Sequence, residues 1–239
     1  MPKLLGRDKP IFGMLHLGGN TRAERLDRVK YETQAYVEGG IDGVIVENYF
    51  GDYDDVAAAL DWLDDNRPAN TIIGLNTLDN DALAFELAAS HPIDFVQLDG
   101  VAGHLSPNDD PDFAQQLAVW RASSLVFGGV RFKYQPVLSG NDEATDVAIG
   151  ATRCDALVVT ASKTGEETDV AKVLRFREVV GKDYPLLIGA GLTAENAATG
   201  LAVADGAIVG SYLKDTHEAK GIVSPANVQK LMSAVNLLR

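Results

Sequence analysis

Residues that can move a proton or hold an anion recur just behind short apolar runs in this 239-residue chain. His16 follows the run at 11–15, Glu47-Asn48 close the run at 43–47, and Asn76 follows 71–75. Gln97 and Asp99 share one face of the run that begins at 94, and Arg131 and Lys133 share one face of 130–133. Thr160 ends the run at 156–160, ahead of the loop Ala161-Ser-Lys-Thr-Gly165. Glu47 and Asp99 are carboxylates suited to general acid–base transfer, because burial raises their affinity for a proton. Their alternative role is to neutralise Lys133 or Arg131. Lys133 suits an anion, a Schiff base or a plain ion pair. His16 reads either as a catalytic acid/base or as a satisfied core histidine. Asn48, Asn76, Gln97, Arg131, Thr160 and Thr164 are the candidate substrate-binding groups. The side chains of Asn76, Gln97 and Thr160 could orient sugar hydroxyls or form an internal polar network.

The anion end of such a site is legible near the C-terminus. Leu186-Leu-Ile-Gly-Ala-Gly-Leu-Thr-Ala-Glu-Asn196 and Ala204-Asp-Gly-Ala-Ile-Val-Gly-Ser211 each read as a short strand, a glycine turn and a polar helix start. Glycines let backbone N–H groups close on phosphate, so Gly189, Gly191, Gly210 and Ser211 are the candidate phosphate-binding residues. The two turns lie 19 residues apart (191 to 210), room for one strand–helix unit.

These residues need elements to bring them together. The apolar runs, completed by 186–189 and 207–210, start roughly 20 to 37 residues apart. Helical patterns fill most of the gaps: 22–38, 54–65, 81–90, 112–121, 169–180 and 225–238. Alternation of this kind predicts parallel βαβ units, and eight strands predict a closed, single-domain (β/α)8 TIM barrel spanning 1–239. In that fold, strand ends open on one mouth, which is where the polar groups above would meet. The fourth-to-fifth connection is ambiguous, because 125–127 also reads as strand before Gly128-Gly129.

Composition narrows the function classes. Apolar residues make up 46% and charged residues 23%, as in ordinary globular proteins. The net charge of −13, with no Lys/Arg cluster, argues against nucleic-acid binding. No stretch suits a signal peptide or a membrane helix, so a cytoplasmic chain without membrane insertion is expected. The single cysteine, Cys154, precludes an internal disulfide and reads as buried packing. His16, His91, His104 and His217 are dispersed, so no metal site is expected, although Glu47, Asp99 and substrate oxygens could share a divalent cation. Gly189-Ala-Gly191 lacks the third glycine of a dinucleotide fingerprint and there is no Walker loop, so no cofactor is expected.

Several of these segments together resemble the BtpA/SgcQ family of barrels, related to the ribulose-phosphate-binding barrels. The resemblance rests on Gly13-Met-Leu-His-Leu17, Gly39-Gly-Ile-Asp-Gly-Val-Ile-Val-Glu-Asn48 with Gly51-Asp52, and Gly74-Leu-Asn76 with Asn80-Asp81-Ala82. It continues in Asp155-Ala-Leu-Val-Val-Thr160 with Thr164-Gly165, the two glycine turns, and Leu213-Lys214. The chain departs from the family pattern at Leu17-Gly-Gly-Asn20, at Gln97-Leu-Asp99, and at Val130-Arg-Phe-Lys133, where only the lysine is kept. All three departures fall where a substrate would be read. A phosphoribosylanthranilate isomerase fits poorly, because its first strand carries a catalytic cysteine where Met14-Leu-His16 stands here. The resemblance implies two kinds of function: presumed enzymes that occur with sugar transport and metabolism, and a non-catalytic assembly or stability factor for a membrane or photosystem complex. The anion cradle beside a rim of Glu47, Asp99, Lys133 and His16 points to an enzyme acting by proton transfer, as an isomerase, epimerase or lyase, on a phosphorylated sugar or nucleoside-like metabolite. Homo-oligomerisation is common among such barrels and is expected here.

Overall fold

A computed structural model describes residues 4–161, 163–164 and 166–239. Strands and helices alternate throughout: β1 (Ile11–Leu15), α1 (Arg22–Glu38), β2 (Gly43–Glu47), α2 (Tyr53–Asn66), β3 (Ile72–Asn76), α3 (Asp81–Ser90), β4 (Phe95–Ala102) and α4 (Asp110–Trp120). The second half continues with β5 (Val126–Val130), α5 (Glu143–Arg153), β6 (Ala156–Val159), α6 (Val170–Val180), β7 (Leu186–Ile188), α7 (Ala197–Val203), β8 (Gly206–Val209) and α8 (Pro225–Asn236). The strands pair in parallel in sequence order, and β8 returns to β1, so the sheet is a closed barrel. The fold is a single-domain (β/α)8 TIM barrel, as expected.

Side-chain alternation sorts the strand residues into two layers. Ile11, Leu15, Val44, Val46, Val96 and Leu98 face outward and pack with the helices. Phe12, Met14, Ile45, Ile72, Phe95, Phe127, Val158 and Ile208 fill the barrel interior. Phe95 stacks on Phe127 with ring centroids 4.0 Å apart, and Phe12 meets Phe95 edge-on at 5.2 Å. This aromatic layer closes the barrel centre, so whatever binds must do so at the carboxyl-end mouth above it.

The opposite rim is held by a device repeated four times. Asp42, Asp94, Asp155 and Asp205 each stand immediately before an even-numbered strand. Each carboxylate accepts from a backbone N–H of the neighbouring odd strand: Ile11 at 2.9 Å, Ile73 at 2.7 Å, Val126 at 2.8 Å and Leu186 at 2.9 Å. The backbone N–H of each aspartate donates back to the carbonyl of the same residue, at 2.7 to 3.2 Å. An arginine at or beyond the end of an even-numbered helix completes each clamp: Arg239, Arg67, Arg121 and Arg177. Strands 1/2, 3/4, 5/6 and 7/8 are thus locked in register as pairs.

Two expectations are corrected. The fifth strand is Val126–Val130 rather than 130–133. Gly128-Gly129 resembles a stop signal but lies inside the strand. A Cβ at Gly128 would meet the Val101 side chain, and one at Gly129 would meet the Asp99 carbonyl and the Phe132 ring, so close packing demands glycine there. Arg131 and Lys133 therefore sit on the loop after β5, not on one strand face. Helices α5 and α7 escaped the periodicity argument because α5 carries few large apolar residues and α7 has only seven residues around Gly200. Among the described residues, no helix is long and apolar enough to cross a membrane.

The clamps make a graded stability prediction. Asp205 is fully buried, whereas the side chain of Asp94 keeps 32% of its exposure. Asp205→Ala strands the Arg177 guanidinium and a buried N–H, and is expected to cost about 3–5 kcal/mol in denaturant unfolding. Asp94→Ala should cost clearly less, and equal losses would show that burial does not set the strength of the clamps.

Candidate active site

A cavity of about 460 Å³ opens at the carboxyl ends of the strands. Its lining includes His16, Glu47, Gln97, Asp99, Lys133 and Thr164, together with the turn residues Gly189, Gly191, Gly210 and Ser211. The inward layer continues into it: His16 is two residues beyond Met14, Glu47 two beyond Ile45, and Gln97 two beyond Phe95. Alternation also resolves the Glu47-Asn48 pair. Glu47 points inward, while the Asn48 Oδ1 turns to accept from Leu78 N at 2.7 Å and braces the loop after β3.

Two carboxylates meet on one amide. Glu47 and Asn76 are paired across β2 and β3. Asn76 Nδ2 donates to Glu47 Oε1 and to Asp99 Oδ1, each at 3.1 Å. Glu47 is buried, and burial first, then the neighbouring Asp99 charge, pushes its pKa up to about 8. Asp99 is also raised, chiefly by burial. At neutral pH Glu47 therefore holds its proton. His16 goes the opposite way: burial, followed by the charge of Lys214, lowers it to about 3, so its ring is neutral. Its Nε2 lies 3.5 Å from Glu47 Oε2, and its ring packs 5.0 Å from that of Tyr49. Lys133 supplies positive charge to both carboxylates.

The glycine turn after β7 is built by close approach. Gly191 has φ +70°, and a Cβ there would collide with the backbone of Glu166 and Glu167. The loop after β6 thus packs directly on this turn, and only glycine allows both the conformation and the contact. Asn196 ties the turn down, donating to Gly191 O at 2.9 Å and accepting from Thr193 N at 2.8 Å. Across the mouth, Tyr134 O–H accepts from Thr164 N at 3.0 Å and links the loops after β5 and β6.

Other sequence candidates lie elsewhere. Arg131 turns away from the mouth: its Nε donates to buried Asp146 at 2.8 Å and its Nη2 to Asn141 O at 2.7 Å. The Thr160 hydroxyl accepts from Lys133 N at 3.0 Å, so it supports the lysine-bearing loop rather than lining the cavity. Asn76 lines an adjoining recess of about 240 Å³ with Asp79, Asp81 and His104, where burial and the charges of Asp99 and Asp79 raise Asp81 to about 6. Ser162 and Gly165 lie outside the described residues. Sequence reasoning missed Tyr49, Tyr134 and Tyr212, which collar the mouth. Their signal was position, each standing one or two residues beyond a strand-end residue already singled out. Among the described residues, no group of three or more His, Cys, Asp or Glu side chains is arranged to hold a metal.

Glu47 and His16 have opposite pH signatures. Glu47 is raised, so the stability it contributes is full below its unfolded value of 4.5, falls as pH rises, and is lost by about pH 8. His16 is lowered, so its contribution is full above 6.5 and is lost as pH falls toward 3. Glu47→Gln should shrink the decline in stability between pH 4.5 and 8, leaving the share that the raised Asp99 and Asp81 contribute, and keep the acid-side loss intact, as read from unfolding curves across pH. An unchanged decline would assign it to other groups.

Comparisons with known proteins bear on this site. A protein of Pyrococcus abyssi, described only as uncharacterised, is 28% identical over 255 aligned positions, covering 97% of each chain. The photosystem I biogenesis protein BtpA of Synechocystis is 25% identical over 253 positions, covering 95% of this chain and 88% of that one. Phosphoribosyl anthranilate isomerase from Thermus thermophilus superposes with a TM-score of 0.65 at 15% identity, over 96% of this chain and all of that one. At that identity the likeness concerns the fold alone. The sequence profile of the BtpA family matches residues 7–237, nearly the whole barrel, and the chain belongs to the BtpA family.

Proposed function

We propose that the mouth binds a phosphorylated small molecule and moves a proton on it, as an isomerase, epimerase or lyase does. The observation that supports this reading best is the Asn76 amide shared by Glu47 and Asp99 inside a cavity that also contains both glycine turns. Two carboxylates with different proton affinities divide the work of acid and base. Asp99, nearer solvent, takes a proton from a carbon beside a carbonyl. Glu47 gives its proton to the oxygen that gains charge, and the Lys133 ammonium stabilises that charge as it develops. Backbone N–H groups around Gly191 and Gly210-Ser211 hold the phosphate and set the distance from it to the acids.

A panel of phosphosugars and nucleoside phosphates, read by thermal shift and by deuterium exchange into the ligand, tests this. Binding with exchange is expected, and Asp99→Asn should slow exchange by about 10²–10⁴-fold while leaving binding within a few-fold. A panel giving neither shift nor exchange would overturn the reading.

A second reading has its own support, and the comparisons favour it over the first. The Synechocystis relative is named for photosystem I biogenesis, and the solved barrels resemble this chain too distantly to carry a reaction. In this reading the chain acts as an assembly or stability factor, and the mouth residues are structural. A stable partner complex retained by Glu47→Gln with Lys133→Ala, together with a silent ligand panel, is its expected result. Loss of the complex in that double variant would count against it.

A further inference from the structure

The His16 ring is engaged by a segment that the proton-transfer reading leaves unused. Between β8 and α8 the chain makes an excursion closed at its base by an antiparallel bridge of Lys214 with Val223. Asp215 N donates to Ile222 O at 2.8 Å, and Asp215 Oδ1 accepts from Thr216 N and Ile222 N at 2.8 and 2.9 Å. Near its tip, Ala219 O lies 3.3 Å from His16 Nδ1. A carbonyl oxygen can only accept, so Nδ1 carries the hydrogen and Nε2 keeps its lone pair, turned toward Glu47.

The excursion is tied to α1 by a buried charged cluster. Arg28 donates to Lys220 O at 2.9 Å and to Gly221 O, the two residues after Ala219. Its Nε donates to Glu32 at 3.0 Å. Glu32 also accepts from Val223 N at 3.1 Å and receives Lys214 Nζ at 2.9 and 3.0 Å. The same ammonium reaches Met14 O in β1 at 3.3 Å. Glu32 is 1% exposed and Lys214 fully buried. A buried ion pair contributes little net stability compared with apolar residues of the same shape, so its distinctive effect is to fix position. Here the cluster grips β1 two residues before His16 and the excursion one residue beyond Ala219, the two sides of one hydrogen bond.

We propose that Arg28, braced by Glu32 and Lys214, is a positioning residue that holds the Ala219 carbonyl on His16 and thereby fixes the imidazole as the acceptor facing Glu47. The consequence is a directional chain. His16 Nδ1–H points to Ala219 O, the Nε2 lone pair faces Glu47 Oε2 across 3.5 Å, and Asn76 donates to Glu47 Oε1 and to Asp99. With Oε1 taken by the Asn76 amide, the acidic hydrogen of Glu47 belongs on Oε2, the oxygen nearest the imidazole face that Arg28 orients. The purpose of this device rests on the proton-transfer reading. The geometry does not.

The test reads the His16 tautomer by ¹⁵N NMR on the full chain without ligand. In the unaltered protein a single neutral Nδ1–H tautomer is expected at pH 7. Arg28→Gln should lose that single form to a mixture containing Nε2–H, and Arg28→Lys, which keeps one donor and the charge, should restore it in part. A His16 that is Nε2–H in the unaltered protein, or that stays purely Nδ1–H in a folded Arg28→Gln variant, overturns the proposal. If Arg28→Gln does not fold, Arg28→Lys, which gives up the guanidinium's grip on both carbonyls while keeping the charge, must still show Nε2–H beside Nδ1–H, and a pure Nδ1–H form there overturns it equally. Since no ligand is involved, a silent phosphate panel beside a shifting tautomer removes the proposed reaction and leaves this inference standing.

Discussion

The reciprocal aspartate clamp is the constraint on which the rest of this barrel depends. A parallel sheet can slip in register, and a slip of one residue exchanges its two faces. Here each pair of strands is pinned at its amino end by one carboxylate that reads a backbone N–H while its own N–H reads the matching carbonyl. Four such pins, each completed by an arginine at or beyond the end of an even-numbered helix, make the barrel a fourfold repetition of a two-strand unit. The register they impose at one rim decides which residues face inward at the other.

That inward set has two regimes along the barrel axis. Below, Phe12, Phe95 and Phe127 pack against one another and exclude water. Above, the same alternation delivers His16, Glu47, Gln97 and Asp99 to a cavity also lined by Met14, Val158 and Ile208 of the inward apolar set. Groups buried at this apolar end of the mouth lose hydration, which is why Glu47 holds its proton to about pH 8 and His16 stays neutral to about pH 3. Packing in the core therefore sets the proton chemistry available at the mouth.

The loops divide into those that carry site residues and those that steady them. Arg131, Thr160 and Asn48 sit beside the mouth in sequence yet bind backbone or buried Asp146, which stiffens the segments bearing Lys133 and Leu78. The tyrosine collar and the Tyr134–Thr164 contact lie at the other extreme, partly exposed and facing the opening. A preorganised site needs both kinds, because a lysine or carboxylate without bracing would lose its geometry to rotamer freedom.

The amino-acid sequence by itself determined the alternating order of elements, the period-two sorting of strand residues and the two glycine turns, because each is a local property of backbone and hydropathy. It thus made Glu47, Asp99, Lys133, His16 and the turn residues legible as neighbours of one opening. Only the tertiary structure decided that Gly128-Gly129 belongs inside β5, since the reason is the proximity of Val101, Asp99 and Phe132 from other parts of the chain. Only the tertiary structure joined Glu47, Asn76 and Asp99 through one amide, and sent Arg131 to Asp146. Proton affinities and hydrogen-bond partners depend on burial and on residues dozens or hundreds of positions away. Local pattern cannot contain that information, whereas closing the barrel supplies it.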